Sequence, residues 1–193
     1  MKKLTILLLL SILLVLGLLS TGNSATEQRI WITVSVSVPA DVTVVNTTTT
    51  NWTISGHPFS FVTNRDVATI ISNSGNANEA FRLAVQSFGT LHVDGWTNST
   101  TTANGVDTYV LQALFDTQGS KPATNDYVSD DVVTVNAQTA TASVFANASR
   151  PTNAENVVPG GKRKLWLKFT LPSGGVANPV SPTCRLVISA EVK

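Results

Sequence analysis

The first regular pattern is strict alternation. In "RIWITVSVSVP", Ile30, Ile32, Val34, Val36 and Val38 fall on one side and Trp31, Thr33, Ser35 and Ser37 on the other. A period of two with one apolar face predicts a half-buried β-strand. Pro39 ends it, because proline cannot donate to a strand ladder. Further strands are predicted at Val42–Val45, Phe59–Val62, Val67–Ser72, Ala80–Val85, Thr108–Phe115, Val132–Val135, Ala140–Phe145, Lys164–Leu171 and Thr183–Val192. In "TYVLQALFDTQ" apolar residues occupy both parities, as in a strand buried on both faces, although a helical turn also fits. No run of ten or more residues carries helical period with start and stop signals. Many short strands separated by turn residues predict an all-β, antiparallel β-sandwich of immunoglobulin-like or jelly-roll topology.

"ATIISNSGNANEAFRLAV" (68–85) sets two apolar runs around a knot of small polar residues. The knot is expected to be a hairpin connection. Gly75 would take positive φ, while Asn73, Asn76 and Asn78 would tolerate left-handed geometry.

The N-terminus has a different pattern. Lys2 and Lys3 precede an almost wholly apolar run, Leu4–Leu19, and small polar residues follow. That order is the secretory leader pattern, with cleavage expected after Ser24 or Ala25. The run is slightly shorter than the roughly 20 residues a spanning helix wants, so no membrane span is expected in the mature chain. Residues 1–25 are therefore read as a signal peptide and 26–193 as one domain, secreted or held at the cell surface.

Cleavage would take two lysines from the 13 basic residues and leave all 12 acidic ones, a formal charge of −1. A near-neutral chain has no electrostatic footprint for nucleic acid. Cys184 is the only cysteine, so stability must come from the sheet core rather than from an internal disulfide.

Candidate chemistry is sparse. His57 and His92 are the only histidines, and no nucleophile elbow or His-Glu-x-x-His helix is present. No catalytic residue is assigned and no enzyme activity is expected; an enzyme would need a site gathered from scattered Asp and His residues. Cys184, inside the last apolar strand, reads as a small core residue. "ATNDYVSDDVV" places Asn125, Asp126, Asp130 and Asp131 in one loop. Asp126, Asp130 and Asp131 form the candidate metal site, with calcium the cation that oxygen ligands suit outside the cell. Asp107 and Asp116 would join only if that end of the sandwich converges. Trp52, Trp96 and Tyr127 sit in polar settings and are the candidate ligand-binding rings, on which a polysaccharide would stack. Asn46, Asn51, Asn98 and Asn147 lie in Asn-x-Ser/Thr sequons. The long uncharged strand Ile30–Val38 has the form a subunit needs to add itself to a neighbour's sheet, and equally that of the first strand of its own sandwich. Lys162, Arg163, Lys164 and Lys168 are read as charges that discourage pairing at an exposed strand.

Two segments, "IISNSGNANEAFRLAV" and "VVPGGKRKLWLKFTLPSG", together under a quarter of the chain, resemble the strand–turn–strand signatures of secreted immunoglobulin-like β-sandwich modules. The resemblance implies a cell-surface or extracellular module of adhesive or structural assemblies and carries over no catalytic residue. The expectation is an exported, non-catalytic structural or interaction protein whose partners are itself or other cell-surface proteins. The alternative is a carbohydrate-binding module.

Overall fold

A computed structural model describes residues 28–36, 42–45, 50–57, 60–87, 96–150, 152–175 and 183–193. The expected leader, residues 1–25, and His92 lie outside them. Among the described residues no helix is long and apolar enough to cross a membrane.

The chain is all-β, in two sheets. The strands are β1 (Gln28–Val36), β2 (Val42–Val44), β3 (Asn51–His57), β4 (Val62–Asn64), β5 (Thr69–Asn73), β6 (Glu79–Ser87), β7 (Thr97–Asn98), β8 (Thr108–Asp116), β9 (Gln138–Thr139), β10 (Lys162–Thr170) and β11 (Thr183–Val192). One sheet has the order β3-β1-β11-β6-β9. The other has the order β2-β5-β10-β8-β7, with β4 also paired to β10.

The alternation at the N-terminus folds as expected, but in the middle of a sheet. β1 pairs antiparallel with β3 and parallel with β11, with Ile32 opposite both Trp52 and Cys184. A parallel neighbour needs a long crossover, and here the rest of the chain supplies it. β7 and β8 are parallel too, so the sheets are mixed rather than wholly antiparallel.

Both sheets turn one face into a single core. Ile32, Val34, Ile54, Phe81, Leu83, Leu186 and Ile188 from the first meet Leu111, Phe115, Leu165, Leu167 and Phe169 from the second. Phe81 and Phe115 touch edge to face across the gap, ring centroids 5.7 Å apart. Burying such side chains is worth about 1.5–3 kcal/mol each and dominates the fold's stability.

The polar knot does not close a hairpin. β5 belongs to the second sheet and β6 to the first, so residues 74–78 arch from one sheet to the other. Asn73 organises the arch. Its buried Nδ2 donates to Ala77 O (2.8 Å) and Val157 O (2.7 Å), and its Oδ1 accepts from the Gly75 N–H at 2.8 Å. This side chain-to-backbone turn does what positive φ was expected to do; none of the arch residues has a left-handed backbone. The Asn73 backbone also exchanges bonds with the turn before β10, accepting from Gly160 N and donating to Gly161 O. Gly160, at φ +72°, follows Pro159 in a turn closed by Gly161 N to Val158 O, the type II arrangement that favours glycine there.

β8 is buried on both faces. Its second face is covered by the excursion from Thr117 to Val158, where Tyr127 packs with Ala68, Leu114 and Trp166 in a second small core. The same excursion seals one side of the sandwich. It bonds to β8 through Val133 N to Leu111 O and Phe115 N to Phe145 O, and to β6 through Val85 N to Thr134 O and Ala140 N to Phe81 O. Strands were expected at Val132–Val135 and Ala140–Phe145. The chain instead makes an isolated bridge at Val132, the two-residue β9 and a turn, because it is shared between two sheet edges.

The basic segment is also displaced from its expected role. β10 has β8 on one side and β5 and β4 on the other, so it is not an edge. Lys168 instead donates to Thr124 O at 3.2 Å, and Arg163 to Asn153 O, tying the excursion down.

Candidate functional site

The loop expected to hold a cation is built from two single-turn 3-10 helices, Thr124–Asp126 and Ser129–Asp131. Each ends in an aspartate that folds back on its own turn. Asp126 Oδ2 accepts from Ala123 N at 2.8 Å, and Asp131 Oδ2 from Val128 N at 2.8 Å. Asp130 points outward and accepts from the Ser129 hydroxyl at 3.2 Å. Among the described residues, no three His, Cys, Asp or Glu side chains converge into a group that could hold a metal. Asp126, Asp130 and Asp131, the residues expected to hold calcium, are not gathered into such a group. Short polar loops satisfy their own N–H groups with carboxylates, and one oxygen each of Asp126 and Asp131 is used that way.

The central charged contact comes from farther away. Asp116, at the end of β8, is fully buried and accepts from Arg150, from Trp166 Nε1 (3.0 Å) and from Gln118 N (3.1 Å). Arg150 also donates to Ser120 O at 2.9 Å, and its Nε lies 3.6 Å from Asp126 Oδ2. Asn147 Nδ2 donates to Asp126 O at 2.7 Å. One guanidinium therefore binds the start and end of the excursion to the sheet beneath. A buried carboxylate needs such pairing, and losing one partner leaves an uncompensated charge.

Asp131 is different. It is fully buried, its Oδ1 meets no donor in hydrogen-bonding geometry among the described residues, and burial pushes its carboxyl up to about 7. The N–H groups of Val128 and Ala146 and the Lys168 ammonium oppose that rise, and Asp130 adds to it. The Tyr127 hydroxyl is also buried without a hydrogen-bond partner among the described residues, and burial raises its pKa far above the ordinary value. Lys168 Nζ stands 5.5 Å from the Tyr127 ring centroid.

The three candidate rings form no exposed platform. Trp96 is 5% and Tyr127 6% exposed. Trp52 is half-buried, its ring edge-on to Phe169 at 6.5 Å. Each fills the core or its rim, where a large aromatic removes the most apolar surface from water, and this corrects the expectation of sugar-stacking rings. Cys184 is buried on β11 near the Tyr109 hydroxyl, and burial pushes its thiol up to about 11. That is the environment of an inert structural thiol.

What remains accessible is an edge. Among the described residues β3 carries only β1 beside it, and its sequence "NWTISGH" contains no Lys, Arg, Asp, Glu or Pro. Val34 N donates to Thr50 O, which fixes the ladder phase: the Ile30/Ile54 and Ile32/Trp52 pairs face each other, and Asn51 and Thr53 turn their N–H and C=O outward. Arg65 reaches across from the other sheet to Asn51 O at 3.3 Å, and the Thr53 groups point outward beside it. This strand was missed from sequence. Its alternation is short and set among Thr and Asn residues that also suit loops.

No protein-family model matches the chain, and neither does any curated protein.

Proposed function

We propose that the chain is an exported, non-catalytic structural or interaction protein of the cell surface or extracellular space, which self-associates through the β3 edge. The observation that carries this reading is the inequality of the two sides of the sandwich. One is sealed by the 42-residue excursion 117–158, bonded along both β6 and β8. The other ends, among the described residues, in β3, which is seven residues long and has no Lys, Arg, Asp, Glu or proline of its own to blunt it; Arg65 caps one outward group, Asn51 O, and leaves those of Thr53 open. Strands distant in sequence lie side by side, the mode of connection that immunoglobulin-like and jelly-roll sandwiches share. With a formal charge near neutral, copies would not repel one another strongly.

The test is sedimentation of the exported product over a wide concentration range. Association is expected, and Thr53→Pro, which removes an outward N–H but no bond to β1, should abolish it. A wild-type chain that stays monomeric throughout sinks the proposal.

A second reading rests on one specific observation. β1 is the first strand described and fills the slot between β3 and β11, with ladders on both sides. The β1 of a neighbour entering that slot would make the same bonds. Ser35 lies opposite Val187 in the parallel ladder. Cysteines at these two positions in a Cys184→Ala background, joined by a short bis-maleimide, would give a ladder of linked chains under exchange and a cross-linked monomer without it.

A further inference from the structure

We infer that Asn51 is the attachment site of an N-linked oligosaccharide, and that a glycan there controls access to the β3 edge. The inference rests on the exported, edge-associating reading above.

Three of the sequons fall on described residues, and the fold treats them differently. Asn98 has both side-chain amide atoms buried, with no space at Nδ2 for a sugar. Asn147 has its amide committed on both ends, Nδ2 to Asp126 O and Oδ1 to the Ser149 N–H at 2.8 Å. Asn51 is exposed, and so is Thr53, the hydroxyl residue of its sequon. In an extended strand residues i and i+2 share a face, so Asn51 and Thr53 stand together toward solvent while Trp52 turns inward against Phe169. The fourth sequon, at Asn46, lies outside the described residues.

The step is a group transfer without redox change. Asn51 Nδ2 bonds to the anomeric carbon of a polyisoprenyl-diphosphate oligosaccharide. The bond from that carbon to the diphosphate oxygen breaks, the carrier diphosphate leaves with the electron pair, and one amide proton is lost. The attached sugar would stand beside the outward Thr53 N–H and C=O, where a pairing strand has to approach.

The experiment uses the full chain expressed in a host whose secretory pathway carries this transferase. The product should show a gel-mobility shift removed by endoglycosidase. Asn51→Gln should abolish the shift, and so should Thr53→Val, which keeps Asn51 and a strand-favouring side chain. Thr48→Ala, Thr100→Ala and Ser149→Ala, which remove the other three sequons, should retain it. A wild-type chain without a shift, or a shift that survives both Asn51→Gln and Thr53→Val, overturns the assignment. Sedimentation then compares the glycosylated chain with the same chain from a host lacking the transferase. Weaker association of the glycosylated form supports control of the edge, and equal association overturns it. If the unglycosylated chain is itself monomeric while Asn51 carries sugar, the edge-association reading fails and the attachment site stands.

Discussion

Asp131→Asn is the sharpest probe of the layer that covers β8. The Asp131 carboxyl is fully buried and raised from its ordinary 3.8 to about 7, chiefly because burial penalises its charge. In the unfolded chain it titrates near the ordinary value, so between about pH 4 and pH 7 the folded state holds a proton that the unfolded state has lost. The stability this carboxyl contributes is therefore fully present below pH 4, is lost as pH rises, and is gone above pH 7. A displacement of about three pH units corresponds to about 4 kcal/mol. Asparagine keeps the acceptor for the Val128 N–H but never ionises. Its new amide donor, if unpaired, costs about 1–3 kcal/mol, so the variant should gain about 1–3 kcal/mol at pH 8. Between pH 5 and pH 8 the wild type loses about 2–3 kcal/mol through this group alone. The advantage of the variant should therefore grow by about that amount between pH 5 and pH 8. Urea unfolding followed by tryptophan fluorescence at the two pH values measures both chains. Comparing variant with wild type removes the titration of every other carboxylate. A stability difference that is the same at pH 5 and pH 8 would refute the assignment of a charge-starved site to Asp131.

Three further outcomes follow from the same packing. Arg150→Met strands the fully buried Asp116, and urea unfolding should show a loss of about 3–5 kcal/mol, part of it recovered in the Asp116→Asn/Arg150→Met double variant. Phe145 is fully buried at positive φ, where the excursion plugs the core; Phe145→Ala should cost about 3–5 kcal/mol in the same assay. Cys184, with its thiol raised to about 11, should resist alkylation at pH 8 in the native chain and react fully in urea, as mass spectrometry would show.

The strands that bury a regular face were legible in sequence. Thr183–Val192 coincides with β11, and Lys164–Leu171 and Ala80–Val85 fall within a residue or two of β10 and β6. "TYVLQALFD" announced burial on both faces, but not what would cover the second one. The covering layer depends on Arg150 meeting Asp116 from 34 residues away, and one cation among many polar residues carries no periodicity to betray it. Asp126, Asp130 and Asp131 do not gather into one cluster for a related reason. Spacing reported three carboxylates in one loop, whereas the direction each side chain takes is set by the 3-10 turns and by which N–H groups lack partners. The arch at residues 74–78 was recognised as a bend. Whether a bend joins neighbours in one sheet or crosses to the other depends on what β10 and β11 pair with, and both come more than 80 residues later.

The position of β1 bears most directly on function. The alternating, uncharged run Ile30–Val38 invites the idea of a free edge offered to another chain, yet β1 lies between β3 and β11 with its ladder bonds used on both sides. Its placement transfers the exposed edge to β3, the next strand of the same sheet. There the outward groups are those of Asn51 and Thr53, the first and third residues of a sequon. The position that would admit a neighbouring strand is thus also the one a sugar would occupy, so association and glycosylation would compete for a single surface. That competition yields an ordering: the chain lacking sugar at Asn51 should associate most strongly, the glycosylated chain less, and Thr53→Pro least of all. An order in which Thr53→Pro associates as strongly as the sugar-free wild type would move the interface away from β3 and leave exchange of β1 as the remaining strand-based route.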